Sequence, residues 1–150
     1  MKILVLQGPN LNMLGKRKAE YYGDVTLDEI HAKMEVRATE LDCEVVFFQS
    51  NHEGDLVERI HKERERVDGI IVNPAGLTGV GFSLRDALED SRLPVVEVHL
   101  SNIHAREEFR RHSCISAVAL GQIAGFRWRS YTAALDVLVN HLLEGSSGQS

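Results

Sequence analysis

Short apolar runs recur at five points along the chain, and longer stretches of mixed polar and apolar residues separate them. The runs cover residues 3–6, 45–48, 69–72, 95–98 and 118–124. An apolar run of this kind, ending at glycine, proline or asparagine, is typical of a strand buried in a parallel sheet. We therefore predict five strands.

The stretches between the runs carry apolar residues at helical spacing. The first has an apolar face that consists of Leu27, Ile30, Met34, Ala38 and Leu41. Thr26 and Glu29 stand in front of that face with the spacing of a capping box, which marks the start of a helix. Further helices are predicted over residues 56–66, 84–88, 104–111 and 131–143.

Strands that alternate with helices predict an α/β fold, a doubly wound parallel sheet with helices on both faces. The simplest version is flavodoxin-like, with five strands in the order 2-1-3-4-5, and it makes strands 1, 3 and 4 neighbours. We expect a single domain over residues 1–143. Residues 144–150 are rich in glycine and serine, so we expect a disordered tail there.

In such a sheet, ligands bind beyond the carboxyl ends of the strands, near the point where the strand order reverses. The turns after strands 1, 3 and 4 carry polar residues that suit this place, at residues 8–12, 73–76 and 99–102. Residues 13–25 form the one long, charged, glycine-punctuated loop near that edge. We predict that this loop is a lid over a ligand site.

The chain of 150 residues has a net charge of -5, which argues against a nucleic-acid partner, because such proteins carry a clustered basic patch. Two cysteines, no apolar leader and no membrane-length apolar run predict a reduced, cytoplasmic protein without a membrane partner. The histidines lack metal-site spacing, and no glycine-rich phosphate loop opens a helix. We therefore expect neither a metal nor a nucleotide cofactor.

The predicted lid places the cation Arg17 close to two tyrosines, Tyr21 and Tyr22. A free tyrosine has a pKa of about 10, and a neighbouring cation lowers it by about 1–3 units. A tyrosine in this loop is therefore a candidate base. The alternative is an exposed loop in which the basic groups are merely solvated.

Glu97 and His99 lie two residues apart at the end of strand 4, so their side chains point to the same face of the sheet. A carboxylate can orient an imidazole and support its protonated form, which makes the pair a candidate general acid. A purely structural hydrogen-bonded pair is the alternative.

The remaining candidates flank the same edge of the sheet. Leu100 and Ser101 precede a predicted helix, whose free amides suit a carboxylate. Arg110, further along that helix, either turns toward a ligand or is a solvated charge. Asn12 and Asn73 follow strands, where asparagine either binds a ligand or caps the backbone.

Several of these segments resemble, in order, the type II 3-dehydroquinate dehydratase family, and together they span about residues 2 to 140. The matching segments are residues 8–12 with Leu14 and Gly15, 17–23, 49–54, 73–74, 84–88 and 97–110. The resemblance implies a flavodoxin-like hydro-lyase without a cofactor, assembled as a dodecamer of trimers. Such an enzyme converts 3-dehydroquinate, a cyclic hydroxy-keto acid, to 3-dehydroshikimate by anti elimination through an enolate.

The resemblance also implies a role for each matching residue. Tyr22 is expected to be the base as tyrosinate, with Arg17 lowering its pKa. His99, supported by Glu97, is expected to protonate the leaving hydroxyl, and Asn12 to help stabilise the enolate through a bound water.

The same resemblance predicts the substrate contacts. Leu100 and Ser101 are expected to hold the substrate carboxylate through their backbone amides. Asn73 and Arg110 are expected to bind the oxygens of the ring, and Asp86 to reach the site of a neighbouring subunit.

The chain departs from the family pattern at three places. Ala19 replaces a usual proline, Ala75-Gly76-Leu77 replaces a glycine, an alanine and an aromatic residue, and Gly79 replaces a histidine that contacts substrate hydroxyls. The last change predicts weaker binding of 3-dehydroquinate, or a site for another acid. Two alternatives therefore stay open, a diverged relative acting on a related cyclic hydroxy acid and a non-catalytic flavodoxin-like binding module.

Overall fold

Five parallel strands form the sheet of the computed structural model, which describes residues 1–147. The strands are β1 (Lys2–Gln7), β2 (Glu44–Gln49), β3 (Gly69–Asn73), β4 (Val95–His99) and β5 (Gly121–Ala124). Their order is β2-β1-β3-β4-β5, and every neighbouring pair is parallel. The predicted flavodoxin-like fold is therefore confirmed.

Five helices accompany the strands in the described part of the chain. They are α1 (Ala19–Tyr22), α2 (Leu27–Glu40), α3 (Glu53–Glu63), α4 (Phe82–Ser91) and α5 (Arg129–Ser147). The predicted capping box is present at the start of α2. The Thr26 hydroxyl accepts from the Glu29 amide, and the Glu29 carboxylate accepts from the Thr26 amide, both at 3.2 Å.

The sheet is buried on both faces because successive residues of a strand point to opposite sides. In β1, Ile3 and Val5 pack with α2 and α5, whereas Leu4 and Leu6 pack with α3 and α4. All four side chains are fully buried. This explains why the strands appear in the sequence as continuous apolar runs rather than as alternating patterns.

Three segments differ from their predicted structure. The last strand covers only Gly121–Ala124, because Ser116–Val118 forms a 3₁₀ turn before it. The prediction of a helix over residues 104–111 is wrong, since this stretch forms two 3₁₀ turns with extended backbone between them. Helix α5 continues through Ser147, into the predicted tail, and residues 148–150 lie outside the described residues.

Within residues 1–147, no helix combines the length and the apolar character needed to cross a membrane, and no cluster of three or more metal-ligating side chains occurs. Cys43 and Cys114 are free thiols. Burial raises the pKa of each thiol and so disfavours the reactive thiolate.

Candidate active site

A cavity of about 160 Å³ opens beyond the carboxyl ends of β1, β3 and β4, at the edge of the sheet where a ligand site was predicted. Its volume suits one small organic molecule. Seven predicted site residues line it, namely Arg17, Tyr22, Asn73, His99, Leu100, Ser101 and Arg110.

Three other predicted residues lie outside the cavity wall. Glu97 is fully buried behind His99. Asn12 is exposed in the turn after β1, and Asn10, which adopts a left-handed conformation with φ 71°, lines the cavity in its place. Asp86 is exposed on α4. Within one subunit, the structure therefore does not bring Asn12 or Asp86 to the site.

The lid, defined here as residues 13–25, places the Tyr22 hydroxyl between two guanidinium groups. Arg17 Nη2 and Arg106 Nη1 each donate to the Tyr22 oxygen at 2.9 Å. Arg17 also lies over the Tyr22 ring, 3.9 Å from its centroid. Two charge-assisted hydrogen bonds stabilise negative charge on this oxygen. Of the two tyrosines, Tyr22 lines the cavity and Tyr21 does not.

Arg106 is the residue that sequence reasoning missed. Only 8% of its side chain is exposed, and its guanidinium also lies 4.1 Å from the centre of the Tyr21 ring. Arg106 itself has an extended backbone, φ -110° and ψ -163°, between the two 3₁₀ turns. This break directs the side chain into the site. The sequence pattern predicted a continuous helix over residues 104–111. On such a helix, Arg106 would be an ordinary solvated surface charge.

The segment after β4 also changes the expected carboxylate site. A helix start was predicted there, but Ile103–Ala105 is a 3₁₀ turn in which the Asn102 side chain accepts from the His104 amide. The predicted helix N-terminus is therefore absent at this position. Leu100 and Ser101 still line the cavity, and the Ser101 hydroxyl lies 3.4 Å from Arg106 Nη1.

Glu97 holds the His99 imidazole from behind. Its Oε2 contacts His99 Nε2 at 2.5 Å, and the Ser113 and Ser116 hydroxyls donate to its Oε1 at 2.7 and 2.9 Å. Gln122 Nε2 donates to Oε2 at 2.6 Å. Burial raises the pKa of Glu97, but these hydrogen bonds, with that of His99 the strongest, outweigh burial and lower the pKa below its ordinary value.

A carboxylate that stays ionised orients its histidine partner. Nε2 of His99 is therefore the protonated nitrogen that faces Glu97. Nδ1 has no hydrogen-bond partner among the described residues, and His99 lines the cavity, so this nitrogen is available to a ligand. The pair suits a general acid when Nδ1 also carries a proton, because the ionised Glu97 stabilises the imidazolium.

Asn73 is oriented by a buried chain of hydrogen bonds. Its Oδ1 accepts from the Ala75 amide at 3.0 Å, and its Nδ2 donates to the Tyr131 hydroxyl at 2.8 Å. Tyr131 donates to Gln7 Oε1 at 2.6 Å, and Gln7 Nε2 lies 3.3 Å from His31 Nε2. Asn73 therefore caps the backbone and also lines the cavity, so both predicted roles are compatible.

This chain of hydrogen bonds needs a neutral His31. Because Gln7 uses its oxygen for Tyr131, its amide group donates to His31 Nε2, which must act as an acceptor. Burial lowers the pKa of His31 to about 4, although Asp28 partly opposes the shift. In the unfolded chain a histidine has a pKa of about 6.5.

We expect the free energy of unfolding to fall as the pH drops from about 7 toward about 4, because the unfolded state takes up the His31 proton first. Urea unfolding at several pH values measures this slope. His31→Gln should flatten it, whereas His141→Gln, at an exposed position of α5, should leave it unchanged. Equal slopes in wild type and His31→Gln would contradict the assignment.

Gly79 lies on the cavity wall, where the resemblance led us to expect a histidine. A Cβ atom added there would lie 3.2 Å from the His112 carbonyl oxygen and 3.6 Å from that of Phe109. A side chain at residue 79 would therefore be in close contact with the His112 carbonyl, which would have to shift slightly to accept it. Arg110, which also lines the cavity, forms an ion pair in which its Nε lies 2.7 Å from Glu107 Oε2.

Comparison with known proteins places this chain in a family. A profile described as dehydroquinase class II matches residues 1–139. A 3-dehydroquinate dehydratase from Halothermothrix orenii is 50% identical over 145 residues, which are 97% of this chain and 98% of that protein. One from Roseiflexus castenholzii is 51% identical over 149 residues, which are 99% of this chain and 92% of that protein.

The fold also agrees with that of a type II dehydroquinase whose crystal structure is known. The type II dehydroquinase from Butyrivibrio crossotus superposes with a TM-score of 0.89 at 39% identity, covering 92% of this chain and 97% of that one. The shared strand order, the match over residues 1–139 and the identity to relatives of nearly equal length all agree. The chain therefore belongs to the class II dehydroquinase family.

Proposed function

We propose that this protein removes water from 3-dehydroquinate to form 3-dehydroshikimate. The observation that carries the proposal is the Tyr22 oxygen, which accepts from two arginines on the wall of the cavity that His99 also lines. A base and an acid on one small cavity are what an elimination of water requires. The relatives that are about 50% identical to this chain bear the name of this activity.

In the proposed reaction, tyrosinate Tyr22 removes a proton from the carbon next to the ketone, and the electron pair moves onto the ketone oxygen as an enolate. Arg17 and Arg106 stabilise the tyrosinate before this step. The enolate then re-forms the ketone as the carbon–carbon double bond forms and the hydroxyl leaves. The imidazolium form of His99, which Glu97 stabilises before this step, gives that hydroxyl a proton, so that water departs and a neutral imidazole remains.

The proposed substrate contacts are those that the family resemblance implies, and their residues line the cavity. Backbone amides of Leu100 and Ser101 hold the carboxylate, and Asn73 and Arg110 bind ring oxygens. Proton transfers alone complete this reaction, so the proposal includes no cofactor. The role that the resemblance assigns to Asn12 requires a water molecule that bridges into the cavity from this exposed side chain.

The direct test is to mix the purified protein with 3-dehydroquinate and follow the ultraviolet absorbance of the conjugated product. We expect absorbance to increase with time. A folded protein that produces no increase at any substrate concentration would contradict the proposal. A colourless protein would further weigh against the alternative of a flavin-binding module.

Gly79 is the specific observation that favours a second candidate, a related acid as substrate. If the missing histidine is only a lost contact, Gly79→His should lower KM for 3-dehydroquinate. One hydrogen bond contributes about 0.5–1.5 kcal/mol when neutral and about 1.5–3 kcal/mol when charged, or roughly 2- to 150-fold in affinity. Gly76→His, on the same wall and with open space at its Cβ, is the control.

Measured kcat and KM distinguish a lost contact with 3-dehydroquinate from a site for a different acid. A lower KM in Gly79→His but not in Gly76→His supports the lost contact. If the wild type already binds 3-dehydroquinate tightly and Gly79→His binds it no better, the glycine instead makes room for a different acid.

We also propose that the protein is a homo-oligomer, a dodecamer of trimers, in which Asp86 reaches a neighbouring site. Asp86 is exposed on α4, close in sequence to the exposed apolar side chains of Val80 and Phe82, which suits an interface. Light scattering should report a dodecamer. Asp86→Asn should lower activity, whereas Asp90→Asn, one turn further on, should not. A fully active monomer would remove Asp86 from the site.

A cytoplasmic location is part of the same proposal. Its support is the pair of free thiols, Cys43 and Cys114, in the described part of the chain. Fractionation of cells that express the protein at its natural level tests it.

A further inference from the structure

Arg127 joins the lid to the turn that follows β4. It lies in the turn between β5 and α5, and its Nη1 and Nη2 donate to the carbonyl oxygens of Ala19 and Glu20 at 2.6 and 3.0 Å. Both carbonyls belong to α1, the one-turn helix that carries Tyr22. The Arg127 amide donates to the Leu100 carbonyl at 2.9 Å, so the same residue also holds the turn expected to bind the carboxylate.

The backbone of Arg127 is held in an unfavourable conformation. Its φ is 54°, in the left-handed region that side chains other than glycine adopt only at an energetic cost. The guanidinium leaves this turn and reaches a segment more than 100 residues away in sequence. Such strain is maintained where the surrounding contacts enforce it.

Apart from the partly buried Tyr22, which packs against the hydrophobic core, helix α1 has few other attachments. None of its four residues is buried, and a helix of this length is not stable by itself. Within residues 1–147, the hydrogen bonds that join α1 to residues outside the lid come from two side chains, those of Arg106 and Arg127. Arg106 holds the Tyr22 hydroxyl, whereas Arg127 holds the backbone.

We propose that Arg127 is a positioning residue that keeps the lid closed over the cavity before the substrate binds, and so presents Tyr22 to it. Arg127 does not line the cavity. Its loss therefore leaves the closed complex and its chemistry unchanged and lowers the closed fraction of the free enzyme. Apparent affinity falls in proportion to that fraction. The effect on KM rests on the proposed function, but the state of the lid does not.

The kinetic test is a split between KM and kcat. Arg127→Ala should raise KM for 3-dehydroquinate by about 3- to 30-fold, with kcat nearly unchanged. Charge-assisted hydrogen bonds contribute roughly 10- to 150-fold, and the smaller value is expected because water competes for both carbonyls at this exposed site. Arg127→Lys, which keeps one donor group, should recover part of the affinity. Arg129→Ala is the matched control, since Arg129 is exposed and contacts the Trp128 ring instead of the lid.

The second test needs no substrate. Trypsin cuts after Lys16, Arg17 and Lys18, all in the lid, and the rate of these cuts reports lid opening. Arg127→Ala should speed the cuts, and Arg129→Ala should not. Faster cutting without any turnover of 3-dehydroquinate would contradict the proposed function but support the role of Arg127.

Arg127→Gly separates positioning from folding. Glycine removes the side chain and also relieves the positive φ, so the melting temperature should stay the same or rise. Lid cleavage should nevertheless be faster and KM higher. Unchanged cleavage and KM in both variants would overturn the proposal. So would a lower kcat and melting temperature with KM unchanged, because that pattern describes a purely structural residue.

Discussion

Tyr22→Phe is expected to lower kcat by about 10²–10⁴-fold, the usual contribution of a positioned base, while leaving the fold intact. Removing the hydroxyl deletes the atom that accepts from both Arg17 and Arg106. The ring remains and can keep its contact with Arg17. Steady-state kinetics and thermal unfolding of the two proteins measure the loss of activity and the preserved stability.

Tyr21→Phe is the matched control, because Tyr21 is adjacent in the lid but absent from the cavity wall. Its effect should be mild, since Arg106 contacts its ring and not its hydroxyl group. If Tyr22→Phe retained more than about a tenth of wild-type kcat, or if Tyr21→Phe were the inactive variant, the base would be wrongly assigned.

His99→Ala is expected to slow the elimination by about 10²–10⁴-fold, with a much smaller effect on binding. The imidazole acts on the leaving hydroxyl, not on the proton that Tyr22 removes. Exchange of that proton with deuterated water should therefore survive better than dehydration. Mass spectrometry of recovered substrate measures the exchange, and product absorbance measures the elimination.

Two variants sharpen this test. Glu97→Gln keeps the shape of the side chain but removes the charge that stabilises the imidazolium, so it should act in the same direction as His99→Ala. His104→Ala, at an exposed position five residues from His99 in sequence, should have no effect. Equal losses of exchange and elimination in His99→Ala would show that His99 is not specifically the acid for the leaving group.

The order of the strands could be predicted because the information is local. Each strand is a short apolar run, and each helix has an apolar face with its own spacing, as the capping box of Thr26 and Glu29 illustrates. Given that alternation, few topologies are compatible with right-handed parallel connections. The carboxyl edge of the sheet, and with it the place of the cavity, followed from the same argument.

Part of the candidate site was predictable for a related reason. Glu97 and His99 lie on one strand, so their spacing alone puts them on one face. Arg17 and Tyr22 lie within one loop. In both pairs, the distance along the chain is short enough that the backbone geometry nearly determines the distance between the side chains.

The contacts of Arg106 and Arg127 could not be predicted from the sequence pattern. Their contacts with the lid join residues separated by 84 to 108 positions, and each depends on a backbone conformation that the pattern did not reveal. The break near Arg106 replaces an expected helix, and Arg127 adopts a positive φ that is unusual for arginine.

The amino-acid pattern was sufficient to predict the sheet, its carboxyl edge and the pairing of Glu97 with His99, because hydrophobic period and residue spacing act within one element. The folded structure was needed to show that Tyr22, and not Tyr21, faces the cavity, and that Arg106 turns inward beside it. Those choices depend on how the lid packs against turns from the far end of the chain. The free energy of such packing comes from contacts between segments that are distant in sequence, so it cannot be inferred from any one segment.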